Sequence, residues 1–493
     1  MRRHLSLAVL TCAVLLLAID STVLYLAVPS LTRDLDPTAT QVLWIGDIYS
    51  LAIAGLLVTM GNLADRIGRK RLLLIGSTAF GIASIVAAFA PTAGVLIAAR
   101  LVLGIAGATL MPSTLSLIRT IYQDPAERTR AIAIWSAAAS AGIALGPIIG
   151  GALLEHFWWG SVFLINIPVM LAILIIGSIV LPESKNPDPS RFDLLSSALS
   201  MLAIVPLVAL IKRIAGGTFD LLAFALAVVA VLGSWLFVRR QRRSTTPMID
   251  VDLFRNGSFS GAVSVNFISV FAMSGALFFF SQYLQLARDL GPFPAGLAEL
   301  PAAIASICAI AFVGMLLRSL GRGRAIAVAL LLGAIGLVLV GILEPADSVM
   351  WVILALVPLG FGIGISETLS VDAVVSSAPE HKAGAASSIS ETAYELGGAM
   401  GIAILGSLMT VFYRAHIAIP SGTGPSAADA ARDSLARAAA ELDPAHPALA
   451  AAHDAFVSAM QTTTFIAAGV MAVGAVVAWI LIPNARDSVV NHG

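Results

Sequence analysis

Apolar residues run along this chain in stretches of about 20, the length needed to cross a hydrocarbon core about 30 Å thick. Short polar connections separate them. Fourteen spans are expected, at 6–28, 43–61, 72–90, 94–117, 131–154, 161–181, 194–211, 221–238, 258–284, 295–317, 325–343, 349–371, 387–413 and 460–482. The expected fold is an all-α integral membrane protein of 14 transmembrane helices. Alternate connections carry most of the basic residues: 21 on one side, 7 on the other, with Arg100 inside a span. That bias predicts both termini in the cytoplasm. One connection is long, 415–458, on the outer side. Its stretch from Ser426 to Glu441 is Ala-rich with charges at near-helical spacing. A surface helix and a solvated loop fit it equally. The start, Met1-Arg2-Arg3 and an apolar run, imitates a signal peptide. The run is long, holds Asp20 and lacks a small-x-small cleavage site, so a retained first span is expected.

Composition agrees. Of 493 residues 58% are hydrophobic and 12% charged, against roughly 25% charged in soluble chains. This excludes an ordinary soluble enzyme and a disordered or disulfide-built protein. Lys+Arg and Asp+Glu both number 29, so no electrostatic footprint for nucleic acid exists. Cys12 and Cys308 form no CxxC pair, and the seven histidines have no metal-ligand spacing. No phosphate-binding GxxxxGK[ST] loop is present. The expectation is a protein without metal, nucleotide or prosthetic group, its energy supplied by the proton motive force.

The connection after span 2 holds Gly61, Asp65, Arg66, Gly68, Arg69, Lys70 and Arg71. The one after span 10 holds Gly314, Arg318, Gly321, Arg322 and Arg324. Laid over each other at a constant offset, two glycines, a leucine and two arginines coincide, as in parallel repeats about an axis normal to the membrane. The expected organisation is a six-helix bundle in 1–181, a linker with two inserted helices in 182–257, and a second six-helix bundle in 258–493.

The first of these connections resembles the loop 2–3 signature of the major facilitator superfamily. Gly142, Gly146, Pro147, Gly150 and Gly151 in span 5 resemble its antiporter motif, and Arg100, Gly104 and Gly107 its span 4 motif. Fourteen spans with Leu17, Asp20 and Thr22 point to the fourteen-helix drug:proton antiporter family. The run from Ala383 to Gly397, with Glu391 and Glu395, is similar to the branch that exports quaternary ammonium compounds and dyes. Arg318 stands where the second loop copy would be acidic, so the resemblance assigns gating to the first copy. A seal or hinge role for the span 5 glycines is implied by the family alone. Close helix packing follows from the residues themselves.

An ionised side chain at mid-membrane costs about 2.5–3.5 kcal/mol on insertion scales, so each one retained needs a reason. The candidates are Asp20, Asp47, Glu299, Glu367, Asp372, Glu391 and Glu395, facing one cation, Arg100. Such a surplus attracts cations. Burial favours the protonated carboxyl, which lets one group hold a proton and a cation in turn. Asp20 is the first choice for that exchange; its alternative is a carboxylate satisfied by Arg100 or nearby hydroxyls. Arg100 either tunes that acid or forms a purely structural pair with it. Glu391 and Glu395, at i and i+4, share a helix face and repel when both are ionised. A solvated helix start is the alternative for Glu391. Glu367 and Asp372 lie near the cytoplasmic end of span 12, where Asp372 is also readable as interfacial. Asp47, one turn past Trp44, reads as an interfacial anchor. Asp65 and its basic neighbours form either a state-dependent latch or a positive-inside anchor.

Tyr394, Trp135, Phe278 and Tyr283 are aromatic candidates for substrate contact; packing or lipid contact is the commoner role of such a stripe. The expected function is proton-coupled efflux of amphiphilic organic cations by a monomer in the cytoplasmic membrane. The alternative is export of one metabolite or antibiotic for self-resistance. An intramembrane enzyme would need a nucleophile–base set or an intramembrane metal pair, and the spans carry neither.

Overall fold

The computed structural model describes residues 2–185, 193–244, 247, 249–346, 348–378 and 383–484. Among them the regular structure is helical throughout. The first six membrane helices are α1 Arg2–Leu35, α2 Ala39–Ile67, α3 Arg69–Ala88, α4 Ala93–Ile121, α5 Pro125–His156 and α6 Ser161–Val180. The inserted pair is α7 Leu194–Ala215 and α8 Leu221–Arg243. Then come α9 Gly257–Ala287, α10 Pro292–Leu320, α11 Arg322–Leu343, α12 Val349–Ser376 and α13 Ala383–His416. Two short helices follow, α14 Pro425–Asp433 and α15 Leu435–Glu441, before α16 Pro447–Leu481. Fourteen of these helices are long and apolar enough to cross a membrane.

The helix starts are written locally. Thr38 caps α2 in a reciprocal box with Gln41, and Asp124 accepts from the Glu127 amide ahead of α5 with proline at the first turn. Each satisfies backbone donors that have no partner inside the helix. Gly68 and Gly321, the matched glycines of the two loop copies, join α2 to α3 and α10 to α11. Both have positive φ, 116° and 78°, a region that only glycine enters without strain. A Cβ there would also meet the Glu183 carboxylate at 2.5 Å and the Asn484 carbonyl oxygen at 2.8 Å.

The helices form two like bundles. In the first, α1 packs on α5, α2 and α3 on α4, and α6 on α1 and α3. In the second, α9 packs on α13, α10 and α11 on α12, and α16 on α9 and α11. Between bundles, α2 meets α13 and α5 meets α10, so the exchange is symmetric. These cross-bundle contacts gather in the half of the molecule away from the basic connections. Gly151 touches Pro292 and Phe293, Gly296 touches the Pro147 carbonyl, and Gly406 touches Leu43. In the other half α5 and α10 stand apart, with Ile134, Ile304, Ile307 and Met315 exposed and open space around Gly314. A cavity therefore opens toward the basic side.

The structure resolves the long connection as the pair α14–α15, which packs across the closed end. Asp433 Oδ2 accepts from the Ala39 amide (3.2 Å) and Arg437 pairs with Asp36 (3.1 Å). Burial pushes the Asp433 carboxyl up from the ordinary aspartate value, against the Ala39 N–H and the Arg414 and Arg437 charges. The seventh helix differs from the expected span. It runs on past residue 211 to Ala215, and so carries Lys212 into the molecule.

Candidate functional site

Asp20 sits midway along α1 and is 1% exposed. Arg100 of α4 reaches it with Nη1 at 3.0 Å, and Asn166 of α6 donates to its other oxygen at 2.9 Å. Ser84 hydrogen-bonds Asn166 at 3.0 Å. Arg100 Nε donates to the Ile45 carbonyl (3.3 Å), and its guanidinium lies over the Tyr49 ring, 4.5 Å from the centroid. Asp20 and Arg100 are thus partners, deep in the first bundle and off the cavity wall. The pair needs this full set of bonds because two desolvated charges are stabilised only when their remaining groups are satisfied.

Asp47 is a correction. It is no interfacial anchor: it is 0% exposed and pairs with Lys212 at 2.6 Å. The Lys212 ammonium lies 3.6 Å from the Trp44 ring centroid. Lys212, which follows the expected span 194–211, is 2% exposed. We expect Lys212→Met to lower stability by about 3–5 kcal/mol, because Asp47 is left as an uncompensated buried charge. The thermal midpoint in detergent reads this. Adding Asp47→Leu should restore most of the loss.

The remaining intramembrane acids gather in the second bundle, facing the cavity. Glu391 and Glu395 lie on one face of α13, and Glu367 of α12 stands against Glu391. All three are deep in the protein yet part-exposed, as side chains lining an internal cavity are. Among the described residues none forms an ion pair. The Ser50 hydroxyl of α2 hydrogen-bonds Glu395, a contact across the two bundles. Tyr394 lies near all three acids and Tyr25. Glu299 of α10 is 7% exposed, with Oε1 unpartnered, and lies near Tyr25.

Other expected members lie elsewhere. Asp372 is paired with Arg322 at 3.0 Å on the basic rim, its side chain 55% exposed, apart from the acids of the cavity. Tyr283 is fully buried. Its hydroxyl donates to the Glu344 carbonyl (2.7 Å) and accepts from Arg288 (2.6 Å), so it braces the second bundle. Phe278 is fully buried against Tyr25 and Gly46. Trp135 donates to Thr114 at 3.3 Å and is part-exposed on α5. A separate crevice lies under α14–α15, lined by Leu43, Phe279, Met409 and Tyr413 with one acid, Asp433. It is not where the carboxylates gather. Sequence reasoning also passed over Glu344, which caps α11. It is 1% exposed, and burial pushes its carboxyl up to about 8 against the Thr464 hydroxyl that bonds it at 3.1 Å.

On the rim, Arg69 bonds Asp65 (2.9 Å), Thr120 (3.0 Å) and Ser184 (3.3 Å), while Arg66 is exposed. Gly61 faces Pro112. All these contacts stay within the first bundle and the start of the linker that follows it. The span 5 glycines divide by face. Gly142, Gly146 and Gly150 lie against Ala18, Thr22 and Val23 of α1, whereas Gly151 and Pro147 meet α10. A Cβ on Gly151 would come within 2.6 Å of the Pro292 carbonyl oxygen. Gly151→Val should therefore pry the closed end apart, lowering stability by about 1–3 kcal/mol through overpacking. Thermal unfolding checks this.

Fourteen membrane helices folded as two like bundles about a carboxylate-lined cavity define a membrane transporter. The chain belongs to the Major Facilitator Superfamily, which matches residues 10–402. It is 45% identical over 482 residues to the multidrug efflux pump LfrA of Mycolicibacterium smegmatis, covering 97% of this chain and 96% of that one. It is 37% identical to the methyl viologen resistance protein SmvA of Salmonella typhimurium, covering 85% of each. It is 34% identical to the tetracenomycin C resistance and export protein of Streptomyces glaucescens, covering 82% and 75%. In fold it is similar to a bacterial homolog of the human lysosomal transporter Spinster, with TM-score 0.67 at 16% identity over 97% of both chains. The protein is a multi-pass membrane transporter for small-molecule efflux, not an enzyme.

Proposed function

We propose that the protein exports amphiphilic organic cations in exchange for protons. The observation that carries this reading is the trio Glu367, Glu391 and Glu395 on the cavity wall beside Tyr394, without an ion pair among the described residues. A lipophilic cation supplies the missing counter-charge and can lie against the aromatic ring. Protons arriving from the far side neutralise the same carboxylates and release it. Asp20 exchanges its proton in concert, its hold on Arg100 changing as the first bundle moves. Residues 1–181 and 258–493 rock as units about the cavity, and the Asp65–Arg69 rim is the part of the first unit that meets the second when the basic side closes. Both termini lie in the cytoplasm, the chain works as a monomer in the cell membrane, and the proton gradient is its only energy source. The resemblance to a methyl viologen resistance protein supports a cationic substrate, since methyl viologen is an organic dication. The resemblance to a tetracenomycin C exporter supports the second reading, export of a single antibiotic.

The test uses everted vesicles holding a proton gradient. Adding ethidium or a monovalent quaternary ammonium compound should collapse the gradient with wild type and not with Asp20→Asn. No response of wild type to a range of such cations overturns cation exchange and leaves the single-antibiotic reading.

A further inference from the structure

The inserted pair α7–α8 has no counterpart in the repeat, and its attachment is lopsided. Toward α2 of the first bundle it is tied by polar contacts along its length. Lys212 pairs with Asp47 at 2.6 Å, Ser200 donates to the Gly55 carbonyl at 3.3 Å, and the Ser197 and Thr59 hydroxyls bond each other. Met201 fills the space left by the missing side chain of Gly55. Toward α13 of the second bundle the surface is smooth. Val208 shares one apolar cluster with Ala399 and Ala403 of α13 and Leu51 of α2, and Ile204, Leu396 and Met400 pack against that cluster. Arg414 of α13 makes a long, exposed polar contact to the Gly216 carbonyl just past α7, at 3.4 Å. Helix α8 in turn is pinned to α7 by Arg240 on Asp193 (2.8 Å) and Gln241 on Ser196 (2.8 Å).

The consequence is an asymmetry between the two seams that flank the cavity. Along α2, α7 covers Gly55 and Thr59 on the basic half, which are buried beneath Met201, Ser200 and Ser197. At the α5/α10 seam nothing equivalent lies over the helices. Ile134 (51%), Ile304 (55%), Ile307 (48%) and Met315 (61%) are exposed there, and Phe312 (44%) is exposed beside Phe361 of α12. These residues do not share one face of α10: at 100° per residue, Ile307 and Phe312 point about 140° apart. The basic half of α10 is therefore uncovered over a broad arc.

We propose that α7–α8 is a fixed part of the first bundle that seals the α2/α13 seam against lipid, so that a membrane-dissolved amphiphilic cation reaches the cavity through the α5/α10 seam. The polar ties make α7 travel with α2. The apolar, small-residue surface of α13 slides beneath it as the bundles rock, with no buried hydrogen bond to break. The carboxylate trio at the head of the cavity then draws in the cation from the open seam. This rests on the cation-efflux reading.

Two measurements on full-length protein in vesicles test it, both in a background lacking Cys12 and Cys308. In the first, a disulfide joins α7 to one neighbour at a time, its formation verified by mass. The Thr59→Cys, Ser197→Cys link to α2 should leave ethidium efflux intact. The Val208→Cys, Ala403→Cys link to α13 should abolish it until reductant is added. Loss of efflux with the first link, or full efflux with the second, overturns the fixed-seal assignment. In the second, ethidium monoazide is photolysed in the loaded membrane. Adducts should fall within 133–140 and 304–315; adducts within 54–60 or 204–208 overturn the route. If the unlinked protein exports no ethidium at all, the cation-efflux reading itself fails, which is a separate outcome.

Discussion

Glu391→Gln combined with Glu395→Gln should abolish cation-driven collapse of a proton gradient while leaving the protein folded. The two carboxylates share one face of α13 and have no cationic partner among the described residues, so no ion pair is broken by the change. Glutamine keeps the shape and the ability to accept from Ser50. What is lost is charge. Unit charges 4 Å apart attract by about 4 kcal/mol at an effective dielectric near 20. Cavity water screens part of that, so each single replacement should weaken cation binding by roughly 10–100-fold. Equilibrium binding of a fluorescent cation to the purified protein measures it. An unchanged affinity in the double variant would remove the trio from the substrate site. A lowered thermal midpoint would mean that the residues act in folding instead.

Arg100→Leu should give the largest loss of stability of any single change considered. Asp20 is 1% exposed, and among the described residues Arg100 supplies its only opposite charge within bonding distance. Asn166 remains as a donor but carries no charge. Leaving such a carboxylate uncompensated costs about 3–5 kcal/mol. The change also leaves the Ile45 carbonyl and the Tyr49 ring face without their cation. Adding Asp20→Asn should recover much of the loss, because the pair is coupled and the two effects do not add. Thermal unfolding of the four proteins closes the cycle. The stable double variant then serves as a transport probe. If Asp20 carries a transported proton, this variant still binds cation but no longer couples it to the gradient. Coupled transport by the double variant would make the pair purely structural.

Much of the architecture was legible in the sequence because a membrane constrains it so tightly. Backbone groups in hydrocarbon must be satisfied within the segment, so length and polarity reveal each helix. The matching glycines at 68 and 321 marked the repeat, and both prove to hold a positive φ at the same turn. Carboxylates in apolar runs were visible as candidates for the same reason that they are rare: each costs energy to insert.

Only the tertiary structure decided what each carboxylate does. Asp20, Asp47, Asp372 and Glu391 look alike in the sequence, as acids in or near apolar runs. In the fold, Arg100 and Asn166 hold the first, Lys212 the second and Arg322 the third, while the fourth faces the cavity with no ion pair among the described residues. These partners come from 80, 146, 165 and 50 residues away along the chain. Local periodicity carries no information at such separations. Lys212 shows this best. At the end of an apolar run it reads as a surface charge, and α7 becomes buried there only because it lies in the seam between α2 and α13. The sequence by itself determined the helices, the repeat and the family. Which charges are neutralised within a bundle, and which have no ion pair among the described residues, was decided by how helices distant in the chain pack together.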